Sequence, residues 1–153
     1  MEKSRKQSRY QRIFEQLPPL MFKSLDPDAR MATIVALLHH KMDYFFWTGF
    51  YLLNAGELIV RVYQGPLACM VLHPHQGACW TAIDTQQTLI IPDVHQFTGH
   101  IACDSRSKSE IVVPVTNSRN EIIGVLDVDS QSVNSFDETD AYWLEKVVAL
   151  IYH

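Results

Sequence analysis

Apolar residues recur at helical spacing near both ends of the chain and at strand spacing between them. Tyr10, Ile13, Phe14 and Leu17 fall on one stripe of a helix, and Pro18-Pro19 is expected to end it, because proline lacks the amide hydrogen and crowds the preceding turn. Ser24-Leu25-Asp26-Pro27-Asp28 reads as a second helix start, with a capping side chain and a proline in the first turn. From Ala29 to Met42, Met31, Ile34, Val35, Leu37, Leu38 and Met42 make one apolar stripe. His39 and His40 fall near the end of that helix, where positive charge is mildly favoured. The N-terminal helices thus span about 8–43.

The pattern then changes period. Tyr44 to Leu53 is aromatic-rich and strand-like, Asn54-Ala55-Gly56 is a short turn, and Glu57 to Tyr63 is a second strand, which together predict a hairpin. Gln64-Gly65-Pro66 breaks it, and Leu67 to Leu72 is a short apolar run containing Cys69. After the loop His73 to Gly77, Ala78 to Gln86 predicts a short helix carrying Cys79 and Trp80. Leu89 to Ile91 is a strand, and Glu110 to Thr116 with Ile122 to Val128 form a second hairpin around the turn Asn117 to Asn120. A last amphipathic helix follows Phe136-Asp137, with Ala141, Leu144, Val147, Val148 and Ile151 on its apolar face. Helices at both ends of a meander of antiparallel strands describe an α+β fold, with sheet and loops over about 44–130 and the closing helix over about 137–152.

Composition narrows the function classes. At 153 residues, with 47% hydrophobic and 20% charged residues, the chain is expected to form one domain over 1–153. A net charge of -4 gives no reason to expect nucleic acid as a partner. No apolar run approaches membrane-spanning length, and the basic start (Lys3, Arg5, Lys6, Arg9, Arg12) has no apolar segment behind it, so neither a membrane nor a secretory leader is expected. Three cysteines fit poorly with a secreted disulfide framework and better with a reactive thiol or metal ligand in a reducing, cytoplasmic setting.

Chemistry concentrates between Ile91 and Glu110, a long loop holding Cys103, His95, His100, Asp93, Asp104, Arg106 and Lys108. The cations near Cys103 would favour its thiolate, although a free cysteine is as often an inert buried residue. Cys69 and Cys79 are too far from Cys103 in sequence for local pairing; either the fold brings one of them near it or both are small core residues, the reading favoured for Cys79 between Ala78 and Trp80. A zinc site from Cys103, His95, His100 and His73 or His75 lacks the paired short-spaced motifs such sites use, so no metal is expected. Asp127 and Asp129 alternate along one strand and therefore share a face, and Glu110 at the start of the neighbouring strand can join them. Either they bind something, since burying them otherwise is costly, or they mark an exposed strand end. Trp47 and Tyr51 read as core aromatics or as the floor of an apolar pocket.

Several motifs together resemble one family, the free methionine-(R)-sulfoxide reductases built on the GAF domain. They are Trp47-Thr48-Gly49-Phe50-Tyr51, Gln64-Gly65-Pro66-Leu67-Ala68-Cys69, Gly77-Ala78-Cys79, and Asp93-Val94-His95 through Gly99-His100-Ile101-Ala102-Cys103-Asp104. Ser107 to Pro114 and Gly124-Val125-Leu126-Asp127-Val128-Asp129-Ser130 complete the set, so the resemblance covers about Tyr44 to Glu145. It implies a GAF-like fold, a central antiparallel sheet flanked by the N- and C-terminal helices. It also implies Cys103 as catalytic cysteine, Cys69 as resolving cysteine and Cys79 as an accessory one. Glu110, Asp127 and Asp129 match the pocket carboxylates, and Trp47 and Tyr51 the aromatic wall beside the substrate's methyl group.

The implied reaction is reduction of free methionine-(R)-sulfoxide by the Cys103 thiolate, through a sulfenic acid and a disulfide recycled by thioredoxin or a similar dithiol, with no cofactor. Under this resemblance His95 and His100 shape the loop. A homodimer is left open by the sequence. Trp80 stands where the family has a small glycine, and the indole is expected to narrow substrate access or shift the Cys69 segment. The alternatives are a non-catalytic GAF module that senses a small ligand, which has no use for three matched cysteines, and a zinc-stabilised interaction domain.

Overall fold

A computed structural model describes residues 1–100 and 103–153. Ile101 and Ala102, which belong to the expected Ile91–Glu110 loop and its His-Ile-Ala-Cys-Asp motif, lie outside the described residues. The chain runs α1 (Lys3–Met21), α2 (Pro27–Lys41), β1 (Trp47–Asn54), β2 (Glu57–Gln64), β3 (Val71–Leu72), α3 (Gly77–Thr85), β4 (Leu89–Ile91), β5 (Ser109–Thr116), β6 (Ile122–Ser130) and α4 (Glu138–Val148), with a short 3-10 turn at Val94–Gln96. One six-stranded sheet takes the order β3-β2-β1-β6-β5-β4, antiparallel at every pairing. This is the α+β architecture the pattern predicts.

The helix boundaries follow local chemistry. Asp26 caps α2 by accepting from the Asp28 amide at 2.9 Å, with Pro27 at the first helical position. Asp137 and Asp140 form a reciprocal capping box at the start of α4. One expectation fails: α1 runs through Pro18-Pro19 to Met21. An interior proline costs about 3 kcal/mol, but the buried stripe Tyr10, Ile13, Leu17 and Met21 carries on past both prolines. Continued burial of that stripe outweighs two lost hydrogen bonds within the last turn.

The sheet separates two apolar layers. Phe50, Ile111, Val113, Val115, Leu126 and Val128 face the N- and C-terminal helices. Trp47, Tyr51, Val112 and Val125 face the opposite side, with α3 and Val94. The alternation of side chains along each strand makes this division, and it leaves the second side only partly covered. The chain folds the helix layer tightly with a buried ion pair: Lys6 Nζ lies 2.6 Å from Asp140 Oδ2, while the Tyr10 and Tyr44 hydroxyls both donate to Asp140 Oδ1 at 2.6 Å. Arg30 adds a second clamp, donating to the carbonyls of Met21, Ser24, Leu150 and Ile151. His39 departs from the helix-end expectation: its Nδ1 lies 3.0 Å from the Thr48 hydroxyl, and burial lowers its pKa, so the ring ties α2 to β1 rather than offering charge to the helix end.

Candidate active site

On the less covered face of the sheet, register does the assembling. Asp127 and Asp129 of β6 point to one side, and Asp129 pairs with Trp47 on β1 and with Glu110 on β5. Asp127 pairs with Gly49, which has no side chain, and Trp47 lies over that gap: a Cβ built on Gly49 would come within 2.6 Å of the Trp47 ring. Trp47 stacks between Tyr51 and Tyr63, at centroid distances of 5.8 and 5.3 Å. The result is a pocket walled by Trp47 and Tyr51, floored by Glu110, Asp127, Asp129 and Cys79, and rimmed by Pro66, Leu67, Ala68, Gln76, Gly77, Ala78, His100, Cys103 and Asp104.

Cys69 and Cys103, 34 positions apart in sequence, are joined by a disulfide with a Cα–Cα distance of 5.5 Å. The Tyr51 hydroxyl donates to the Cys69 carbonyl at 3.0 Å and so ties that segment to the sheet. Much of the Leu67–Leu72 run is not core: Leu67 and Met70 are exposed, and only Val71–Leu72 joins the sheet, as an edge strand. Cys79 is the free cysteine and is buried, the third residue of α3.

The electrostatics are those of an acid cluster short of counterions. Glu110 and Asp127 are buried and Asp129 half-buried, so the alternative of an exposed strand end does not hold. Burial, then the neighbouring carboxyl charges, pushes Glu110 and Asp129 well above the usual carboxylate range. Asp127 rises through burial to about 6, restrained by hydrogen bonds from Glu110 and Cys79. Burial and the same carboxylates push the Cys79 thiol up. Two buried polar atoms, Trp47 Nε1 and Asp127 Oδ1, have no partner among the described residues. Orphaned groups of this kind are rare in native interiors and call for a ligand or water.

Two of the groups expected to favour the Cys103 thiolate, Arg106 and His100, are not available to do so. Arg106 forks onto Asp104, with Nε and Nη2 donating at 3.0 and 2.7 Å, and its guanidinium lies over the Phe46 ring. An arginine matched to a nearby carboxylate in this bidentate way has its charge spent locally. His100 lines the pocket but burial lowers its pKa. Among the described residues the histidines considered for zinc form no cluster that could hold a metal, and His75 pairs with Asp84 at 2.9 Å. The indole of Trp80 does not narrow the pocket, although its bond to Leu72 reaches the segment that carries Cys69. It packs beneath α3, donates to the Leu72 carbonyl at 3.3 Å and contacts His75, and it is not among the pocket-lining residues.

Every residue singled out from the sequence (Cys103, Cys69, Cys79, Trp47, Tyr51, Glu110, Asp127, Asp129) lines this pocket or is bonded to its rim. Gly49, Gly77 and Ala78 stood in the sequence motifs but were given no role there. The signal for Gly49 was present, since a glycine two positions after a tryptophan on one strand leaves room for the ring.

Comparison with known proteins agrees with this geometry. A sequence model of the GAF domain matches residues 26–152. The chain is 43% identical over 152 residues to "GAF domain-containing protein A" of Dictyostelium discoideum, covering 99% of this chain and 95% of that one. It is 43% identical over 121 residues to the free methionine-R-sulfoxide reductase of Escherichia coli, covering 79% and 73%. The X-ray structure of free methionine-R-sulfoxide reductase from Neisseria meningitidis in complex with its substrate superposes with a TM-score of 0.88 at 37% identity, over 93% of this chain and 85% of that one. A chain with this sheet, this pocket and these relatives belongs to the GAF domain family and, within it, to the free methionine-R-sulfoxide reductases.

Proposed function

We propose that the protein reduces free L-methionine-(R)-sulfoxide to L-methionine, with Cys103 as nucleophile and Cys69 as resolving cysteine. The observation that carries this reading is the Cys69–Cys103 disulfide on the rim of a pocket whose floor holds three clustered carboxyl groups. Residues 1–153 act as one unit, because α1 packs its buried stripe into the same core as α4.

In the reduced protein the Cys103 thiolate attacks the sulfoxide sulfur. A carboxyl group held protonated by burial and like charge, Glu110 or Asp129, hydrogen-bonds the sulfoxide oxygen and supplies one proton. The oxygen ends on Cys103 as a sulfenic acid and the thioether leaves as methionine. The Cys69 thiol then condenses with the sulfenic acid, releasing water and closing the disulfide. An external dithiol of the thioredoxin type reduces that disulfide by exchange. No cofactor takes part, and the cycle suits the cytoplasm, where such reductants keep thiols reduced.

Specificity for the free amino acid follows from two charged ends. Asp127 ionises most readily of the three acids and offers its unpaired oxygen to the substrate's ammonium group. The substrate carboxylate meets Gly77 and Ala78 at the start of α3, whose first turn has no side-chain cap. A methionine sulfoxide inside a peptide has neither charge. Trp47 and Tyr51 flank the S-methyl group.

The test is a stereospecific assay of free and peptide-bound methionine sulfoxide, R and S separately, with thioredoxin recycling. Turnover of the free R form alone is expected. Cys103→Ser abolishes it, while Cys69→Ser completes one turnover and then stalls. Unchanged steady-state activity in Cys103→Ser sinks the reading.

A further inference from the structure

Cys79 has no part in the chemistry above, yet it stands at the centre of the pocket floor. Its Sγ and one oxygen each of Glu110 and Asp127 all lie within 4.8 Å of one another, and all three residues are buried. Each comes from a different rigid element: α3, β5 and β6. Asp127 Oδ1 is enclosed and has no hydrogen-bond partner among the described residues. A buried carboxylate oxygen without a donor is costly unless a cation completes it.

We propose that this floor is a binding site for a thiophilic divalent cation of the zinc type, held by Cys79 Sγ and the carboxylate oxygens of Glu110 and Asp127. Three protein ligands with a fourth position open to a pocket is the arrangement zinc adopts where it keeps an exchangeable ligand. The sulfur selects against magnesium and calcium, which take oxygen donors. Small rotations of the two carboxyl groups bring all three donor atoms onto one ion. Burial keeps Cys79 and Glu110 protonated in the metal-free protein, so binding releases the thiol and carboxyl protons to solvent, with no change of oxidation state. The cation takes the place that the substrate's ammonium group occupies in the reductase reading, so metal and substrate exclude one another. The site is therefore inhibitory. Only this competition rests on the reductase reading; the site itself rests on the three side chains.

The disulfide form supplies a clean test, because Cys79 is then the free thiol of a chain with three cysteines. Titration of the oxidised protein with Cd²⁺ alone is expected to give a thiolate-to-cadmium charge-transfer band that saturates at one equivalent and is accompanied by proton release. Cys79→Ser removes the band. Asp127→Asn and Glu110→Gln, with folding verified by near-ultraviolet circular dichroism, keep the thiol but weaken Cd²⁺ binding by about tenfold or more, a loss seen even for outer-shell partners. Absence of the band in the unsubstituted protein, or undiminished affinity in both carboxyl variants, overturns the proposal. A protein that shows the band but no sulfoxide reduction refutes the function and leaves the site standing; reduction without the band does the reverse. Zn²⁺ added to the reduced protein should raise KM for the sulfoxide without lowering kcat, and inhibition that excess substrate fails to relieve overturns the competition.

Discussion

Glu110 and Asp129 face each other directly across the β5–β6 ladder, two carboxyl side chains on one side of the sheet with Asp127 two residues further along. Cross-strand pairs of like charge are destabilising. Here the pair is tolerated because burial first, and then the charge of Asp127, hold both acids protonated beyond the usual carboxylate range. The free protein thus keeps this pair neutral, and a cationic ligand would favour its ionisation.

The first prediction concerns pH. Asp127 titrates at about 6 in the folded protein against 3.8 for an ordinary aspartate. Between those values the native state binds more protons than the unfolded state, so this group's contribution to stability falls as pH rises through that window. The loss is on the order of 3 kcal/mol for Asp127. Asp127→Asn should therefore be more stable than the parent at pH 7 and indistinguishable from it near pH 4. Urea unfolding of the ligand-free, oxidised protein at the two pH values checks this. Parallel stability profiles for parent and variant would contradict it.

Tyr51 is both wall and tether, and the two roles separate experimentally. Tyr51→Phe keeps the ring in the pocket but removes the bond to the Cys69 carbonyl. Loss of such a bond costs about 1 kcal/mol. Methionine formation in a single turnover should stay within about twofold, while disulfide closure slows by about fivefold, as expected if roughly 1 kcal/mol of positioning is lost. Rapid-quench thiol counting measures closure. Equal slowing of both steps would place the hydroxyl in the chemistry instead.

Much of this site was legible in the sequence because strand alternation is unambiguous where apolar and acidic residues interleave. The alternation of Asp127, Val128 and Asp129 announces a face shared by the two acids, and Trp47 and Tyr51, an even four positions apart, likewise share one face of their strand. The pairing of Cys69 with Cys103 came from family resemblance, since a separation of 34 positions leaves the contact undetermined by local pattern. Three features were hidden. Pro18-Pro19 promises a helix end, but tertiary burial of Leu17 and Met21 overrides it. Arg106 promises a cation for Cys103, but its proximity to Asp104 captures it. Trp80 promises an obstruction, but its rotation about α3 points the indole to Leu72. Local pattern gives which face a strand residue occupies; it does not give which of several partners a long side chain will choose.

The ion pair under α1 yields a stability prediction away from the pocket. Asp140 is fully buried and receives Lys6, Tyr10 and Tyr44. Asp140→Asn removes the nearer of two charge partners and leaves Lys6 with Asp137 at 3.5 Å, so the loss should fall below the roughly 3–5 kcal/mol typical of a fully stranded buried charge. The double change Lys6→Met with Asp140→Asn should recover part of that loss, because no uncompensated charge remains. Chemical denaturation of both variants distinguishes a structural network from one that also reaches the pocket: KM of the folded fraction should be unchanged.

Gly49 is the point at which packing and catalysis meet. It pairs with Asp127 on one side and Tyr63 on the other, and the Trp47 ring occupies the volume a side chain would need. A methyl group at this position meets Trp47 Cη2 at 2.6 Å, well inside contact distance, and presses on Tyr63 Cβ as well. Tyr63 Cβ is fixed by its backbone, so the indole must give way, and the open direction is the pocket. Gly49→Ala should destabilise the protein by about 1–3 kcal/mol, the usual cost of overpacking. It should also raise KM for the free sulfoxide more than it lowers kcat, since Trp47 would intrude where the S-methyl group sits while Cys103 and the acids remain in place. Thermal unfolding and steady-state kinetics on one preparation test both halves. A lower melting temperature with unaltered KM would mean that the ring moves away from the pocket, and Trp47 would then not be the wall of the substrate site.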